Sequence, residues 1–99
     1  MRAQRPQPNA VFGKHLRTLR RERDISQETL AERANLGVNI IGRLERAIIS
    51  PGLITILKLS AALGVSAAEM LRPFTPETIA AMKLGVALSG AIRPRSARG

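Results

Sequence analysis

At 99 residues the chain has material for one hydrophobic core and not two, and 44% hydrophobic residues with Phe12 and Phe74 as the sole aromatics describe a folded domain with an aliphatic interior. The absence of cysteine excludes a disulfide scaffold, a thiolate-held zinc site and a Cys nucleophile, and makes the reducing cytoplasm the expected compartment. Sixteen Lys and Arg against seven Asp and Glu leave a net charge of +9, which suits a polyanionic partner, and the preponderance of Arg over Lys suits bidentate contacts to phosphate and guanine.

Residues 1–10 hold two arginines and two prolines with little to bury, and read as a flexible basic arm. From Phe12 the spacing of Phe12, Leu16 and Leu19 predicts an amphipathic helix ending near Asp24, with Lys14, Arg17, Arg20 and Arg21 on its other faces. His15, the lone histidine, is expected at the surface of that helix. Ser26 is an N-cap for a second helix burying Leu30, Ala31 and Ala34. Asn35, Leu36 and Gly37 form a turn, and a third helix runs from about Val38 to Arg46 with Ile41 and Leu44 inward.

Ser50-Pro51-Gly52 is a strong breaker. A fourth helix follows with Leu53, Ile56, Leu57, Ser60 and Leu63 as its inward set, stopped at Gly64, and Ser66 caps a short fifth helix carrying Met70 and Leu71. Thr75-Pro76-Glu77 starts a C-terminal helix over 75–91, apolar on more than one face, which either packs on the domain or meets another chain. Residues 92–99 form a basic tail. No apolar run approaches the ~20 residues of a membrane span, and no apolar stretch follows the basic N-terminus as in a secretory signal.

Residues 26–45 carry the most information. A capped helix, Leu30-Ala31 four positions on, a turn near 35–37 and then Ile41 and Leu44 describe two helices crossing steeply, with Ala31 allowing their close approach. Such a helix-turn-helix can set its second helix into a DNA major groove roughly 12 Å wide.

On these residues the chain resembles the phage-repressor and Cro-like helix-turn-helix proteins. The matching runs are Leu19-Arg20, Ser26-Gln27-Glu28-Thr29-Leu30-Ala31-Glu32-Arg33, Ile41-Gly42-Arg43-Leu44-Glu45-Arg46, Pro51, Leu57-Lys58-Leu59-Ser60-Ala61-Ala62-Leu63-Gly64-Val65-Ser66 and Glu69-Met70-Leu71, in register from about residue 12 to 72. The resemblance implies an all-α fold, a five-helix repressor-like DNA-binding domain over 11–74 with an additional C-terminal helix. It places Gln27 on a DNA phosphate, makes Arg46 and Lys58 further candidate phosphate contacts, and puts Val38, Asn39, Gly42 and Arg43 on the face that meets base edges. Asn39 suits adenine and Arg43 guanine or a phosphate, while Val38 offers apolar contact to a thymine methyl. Arg20 and Glu45 resemble the family's internal ion pair.

Three departures stand out: Gly37 replaces a Ser or Thr cap, Gly42 interrupts the recognition helix, and Ala47, Ile48 and Ile49 stand where the family has Gly followed by basic or polar residues. Ile48, Ile49 and Ile54, with Ile40, look surplus to a small core. They are either covered in the loop or form a partner surface, most simply for a second copy. A narrower resemblance is to controller proteins of restriction–modification systems, although Val38 stands where those carry a basic residue.

The expected function is sequence-specific regulation of transcription, as a repressor bound to double-stranded DNA at a palindromic operator as a homodimer. The alternatives are a protein-interaction module of the antitoxin or coactivator kind, and a nonspecific nucleic-acid binder acting through its tails. No catalytic constellation, metal-ligand spacing, cofactor motif or small-molecule site is legible, and no enzyme activity is expected. Residues 11–74 carry a net +4 while the flanks carry the rest, so the charge excess is mostly sequence-blind and specificity has to come from the helices.

Overall fold

The computed structural model describes residues 5–85, and over these it is all-helical: α1 (Pro8–Glu22), α2 (Gln27–Ala34), α3 (Val38–Glu45), α4 (Leu53–Leu63), α5 (Ala67–Met70) and α6 (Pro76–Ala81). The first helix starts earlier than the sequence suggests. Pro8 occupies its first turn, where its preset φ and missing N–H carry no penalty, so the arm expected over 1–10 is helical from Pro8 onward. Residues 1–4 of that arm lie outside the described residues, as do the 92–99 tail and residues 86–91 of the expected C-terminal helix. Of the 75–91 expectation the helix itself covers Pro76–Ala81: Lys83 at φ 57° and Gly85 at φ 83° have left-handed backbone, which α-helix excludes.

The helix starts follow their capping chemistry. Ser26 accepts from Thr29 N at 3.0 Å, Ser66 from Glu69 N at 3.0 Å and Thr75 from Thr78 N at 3.1 Å. Four helices end in one way. Asp24, Asn35, Ala47 and Gly64 each take positive φ, and the N–H of the next residue returns to the carbonyl five residues back, as in Leu36 N to Ala31 O at 2.9 Å and Ile48 N to Arg43 O at 2.9 Å. The residue after each stop is apolar. Ile25, Leu36 and Val65 pack against the core, whereas Ile48 is 59% exposed.

Phe12, Leu16 and Leu19 of α1, Leu30, Ala31 and Ala34 of α2, Ile41 and Leu44 of α3, Leu59 and Leu63 of α4 and Met70 of α5 form the buried core. The fourth helix departs from expectation: Leu59 is buried, while Leu53 and Leu57, expected inward, lie in solvent, Leu53 at 70% exposure. An all-round apolar sequence such as LITILKLSAAL does not say which face turns inward; contact with α2 and α5 decides it.

Candidate nucleic-acid interface

The α2 and α3 helices pack through Leu30, Ala31, Ala34, Ile41 and Leu44, all buried, and α1 lies across α3. The approach of α1 is set at Gly13. A Cβ there would run into the Leu44 carbonyl oxygen and lie 2.9 Å from the Glu45 carbonyl oxygen, so only a residue without a side chain lets α1 sit this close to the C-terminal turn of α3.

Beside that crossing the Glu45 carboxylate is fully covered and satisfied by three side chains. Arg20 donates from Nε to Oε2 at 2.6 Å and from Nη2 to Oε1 at 2.9 Å, Gln27 Nε2 donates to Oε1 at 3.0 Å, and Arg17 Nε reaches the same oxygen at 3.4 Å. Arg20 spends its remaining nitrogen on Ile25 O at 2.9 Å. Burial alone would raise the Glu45 pKa, but the hydrogen bonds from Arg20 and Gln27, the Arg20 charge and the Arg17 contact together hold it below the usual carboxylate range. The Glu45 hydrogen bond in turn raises the Arg20 pKa. One carboxylate thus joins α1, the start of α2 and the end of α3.

On the outer side of α3, Val38, Asn39 and Arg43 are exposed, with Asn39 and Arg43 one turn apart on one face. Gly42 is not on that face. It is buried beneath two side chains, its absent Cβ lying 3.1 Å from Arg46 Nη1 and 3.6 Å from Gln27 Oε1. Its role is to leave a slot across which Gln27 reaches Glu45. Gln27 is half-buried at the first position of α2, with one amide hydrogen committed to Glu45 and the other unassigned by it. Arg46 is exposed at the C-cap of α3, and Lys58 is half-buried with Nζ donating to Asn35 O at 3.3 Å, where it closes the carbonyl end of α2. Gly37 caps α3 without a side-chain hydrogen bond.

The surplus isoleucines divide. Ile40 and Ile49 pack against the core, so Ile49 is lost from the expected partner surface because the post-α3 loop folds it inward. Ile48 and Ile54 are exposed, and Leu53 and Leu57 join Ile54 on the outer side of α4.

Several side chains that tie the helices together escape a reading by periodicity. His15 is buried, not at the surface, and its Nε2 donates to Glu69 O at 2.7 Å, tying α1 to α5. Arg23 bridges the ends of α1 and α4, donating to Leu19 O at 2.8 Å and Leu63 O at 2.7 Å. Arg17 is the third donor on Glu45; its place three residues before Arg20, nearly one turn, was the signal available for it. Among the described residues no three His, Asp or Glu side chains converge as metal ligands, and no helix is long and apolar enough to cross a membrane.

Residues 16–70 match the helix-turn-helix family. An uncharacterized HTH-type transcriptional regulator of Sinorhizobium fredii is 38% identical over 68 residues, covering 69% of this chain and 87% of that protein. Among solved structures, the restriction-modification controller protein C.AhdI from Aeromonas hydrophila superposes with a TM-score of 0.62 at 39% identity, over 63% of this chain and 94% of that one. The clp gene regulator ClgR from C. glutamicum does so with a TM-score of 0.65 at 25% identity, over 80% and 97%. A hypothetical transcription factor from Neisseria gives 0.64 at 30% identity, over 81% and 93%.

Proposed function

The chain belongs to the Cro-like helix-turn-helix family of transcriptional regulators, and from that premise we propose that it is a sequence-specific repressor which binds a palindromic operator as a homodimer. Its relatives and its fold are those of DNA-binding regulators, not of enzymes. The observation that carries the reading is the two-sidedness of α3: Ile41, Leu44 and Glu45 hold it to the domain, while Val38, Asn39 and Arg43 are exposed on a helix packed against α1 and α2. A major groove admits such a helix. Gln27, Arg46 and Lys58 supply phosphate contacts along its border, fixing register without reading sequence.

Selection of bound duplexes from a random pool tests the proposal directly, a palindromic consensus being the expected result. With that duplex in hand, Arg43→Ala is expected to cost about 1–3 kcal/mol of discrimination against the wrong base, measured as specific against random-DNA affinity. Equal losses on both duplexes would reduce Arg43 to a phosphate contact.

The second copy is assigned to the exposed apolar side chains Ile48, Leu53, Ile54 and Leu57. The support is that Ile48 is exposed where the equivalent residues after the other three stops are packed, and that α4 presents three further large apolar side chains. A two-fold pairing brings the same patch from each copy together. Ile54→Glu, at a site 66% exposed, is expected to leave folding intact and to shift the sedimentation behaviour from dimer to monomer; an unchanged dimer places the interface elsewhere.

The likeness to C.AhdI favours a particular version of this reading, control of an adjacent restriction–modification gene pair. Methyltransferase and endonuclease reading frames beside the gene are its test.

A further inference from the structure

Arg17 carries charge and donors that the Glu45 cluster does not use. Around the Glu45 carboxylate each of the three Arg20 nitrogens is engaged, two on Glu45 and one on Ile25 O. One acid and one of the two arginines cancel, so Arg17 is left as a net positive charge at that point. Its Nε alone is engaged, at 3.4 Å from Glu45 Oε1, and among the described residues its two Nη groups have no acceptor. The side chain is 40% exposed. Gln27 Nε2 binds the very oxygen that Arg17 binds, and Gln27 Oε1 and Arg46 Nη1 lie together over Gly42. Arg17, Gln27 and Arg46 are therefore neighbours, linked by one carboxylate and one glycine slot. The geometry points to Arg17 as a further DNA-phosphate contact, next along the backbone from Gln27, with Glu45 holding its Nε so that the two Nη groups face a phosphate oxygen pair. This assignment rests on the DNA-binding reading. A fixed guanidinium fork matches a phosphate bidentately and loses less freedom on binding than an untethered side chain.

The test is the salt dependence of full-length protein binding to random-sequence duplex DNA, because a phosphate contact does not depend on sequence. Arg17→Met keeps the aliphatic stem and removes the charge. It is expected to flatten the slope of log affinity against log salt by about 1 and to weaken binding on the order of tenfold near 0.1 M salt, with the difference closing as salt rises. Arg17→Lys is expected to restore the slope, which a purely structural role would not do, and thermal midpoints of all three proteins report whether the fold is retained. A steep slope in the unsubstituted protein that is unchanged in Arg17→Met, or one that Arg17→Lys fails to restore, overturns the assignment alone. An unsubstituted protein without salt-dependent duplex binding overturns the DNA reading and the assignment with it.

Discussion

Arg20→Met is expected to destabilise the domain by about 3 kcal/mol at neutral pH, at the lower end of what removing one partner of a buried ion pair costs. The lower end applies because Gln27 and Arg17 remain on the covered Glu45 carboxylate. For a domain of this size the fall in melting temperature is roughly 12–24 °C. The pH dependence has a definite sign. In the unsubstituted protein Glu45 is held below the usual carboxylate range, so it contributes stability that is present above an ordinary Glu pKa of about 4.3 and lost as pH falls through the folded value. With Arg20 gone, burial works against ionisation and the Glu45 pKa moves up. The variant's deficit is then greatest near pH 7 and shrinks toward pH 4, where Glu45 accepts a proton. Denaturant unfolding of both proteins at the two pH values measures this, and a deficit independent of pH would remove Glu45 ionisation as its cause.

Gly13→Ala and Gly42→Ala are expected to move stability in opposite directions. Replacing Gly by Ala inside a helix ordinarily gains up to about 1 kcal/mol. At Gly13 the new methyl meets the backbone carbonyls of Leu44 and Glu45, which cannot turn away, and overpacking of this kind costs about 1–3 kcal/mol or more. The clash wins, and a net loss on the order of 2 kcal/mol follows, with α3 displaced from α1. At Gly42 the tight neighbour is the end of the Arg46 side chain at 3.1 Å, which can swing aside, while Gln27 Oε1 at 3.6 Å is in ordinary contact. That variant is expected to gain stability and to lose DNA affinity, since the group that moves is the proposed phosphate donor Arg46. Thermal melts together with binding to duplex DNA separate the two; a Gly13→Ala protein as stable as its parent would mean that the α1–α3 approach is soft.

Much of the fold was legible because local chemistry and periodicity agree. Ser26, Ser66 and Thr75 cap where a helix must begin, and the inward residues of α1, α2 and α3 repeat with a clear polar complement. Local rules fail where two segments distant in sequence meet. Nothing around His15 announces that the Glu69 carbonyl lies above it, and the uniform apolarity of α4 leaves its inward face to be chosen by α2 and α5. Asp24 and Ala47 take left-handed backbone without glycine, because at those stops the returning hydrogen bonds and the following apolar residue outweigh a strain of roughly 1–2 kcal/mol. At the candidate site the residue types pointed to α2 and α3, but the burial of Gly42 and the contact of Glu45 with Arg17 depend on how three helices converge, which spacing within one helix does not encode.

The His15–Glu69 bond sets a timetable for the nascent chain. Its two ends are 54 residues apart in sequence, so at synthesis rates of roughly 5–20 residues per second Glu69 follows His15 out of the ribosome by roughly 3–11 s. Met70, which fills the same core as Phe12 and Leu16, arrives just behind it. The α2–α3 pair, whose contacts are near in sequence, can close in the meantime. The tie between α1 and α5 is therefore the last of these contacts to close, after α1, α2 and α3 have been able to meet around Glu45.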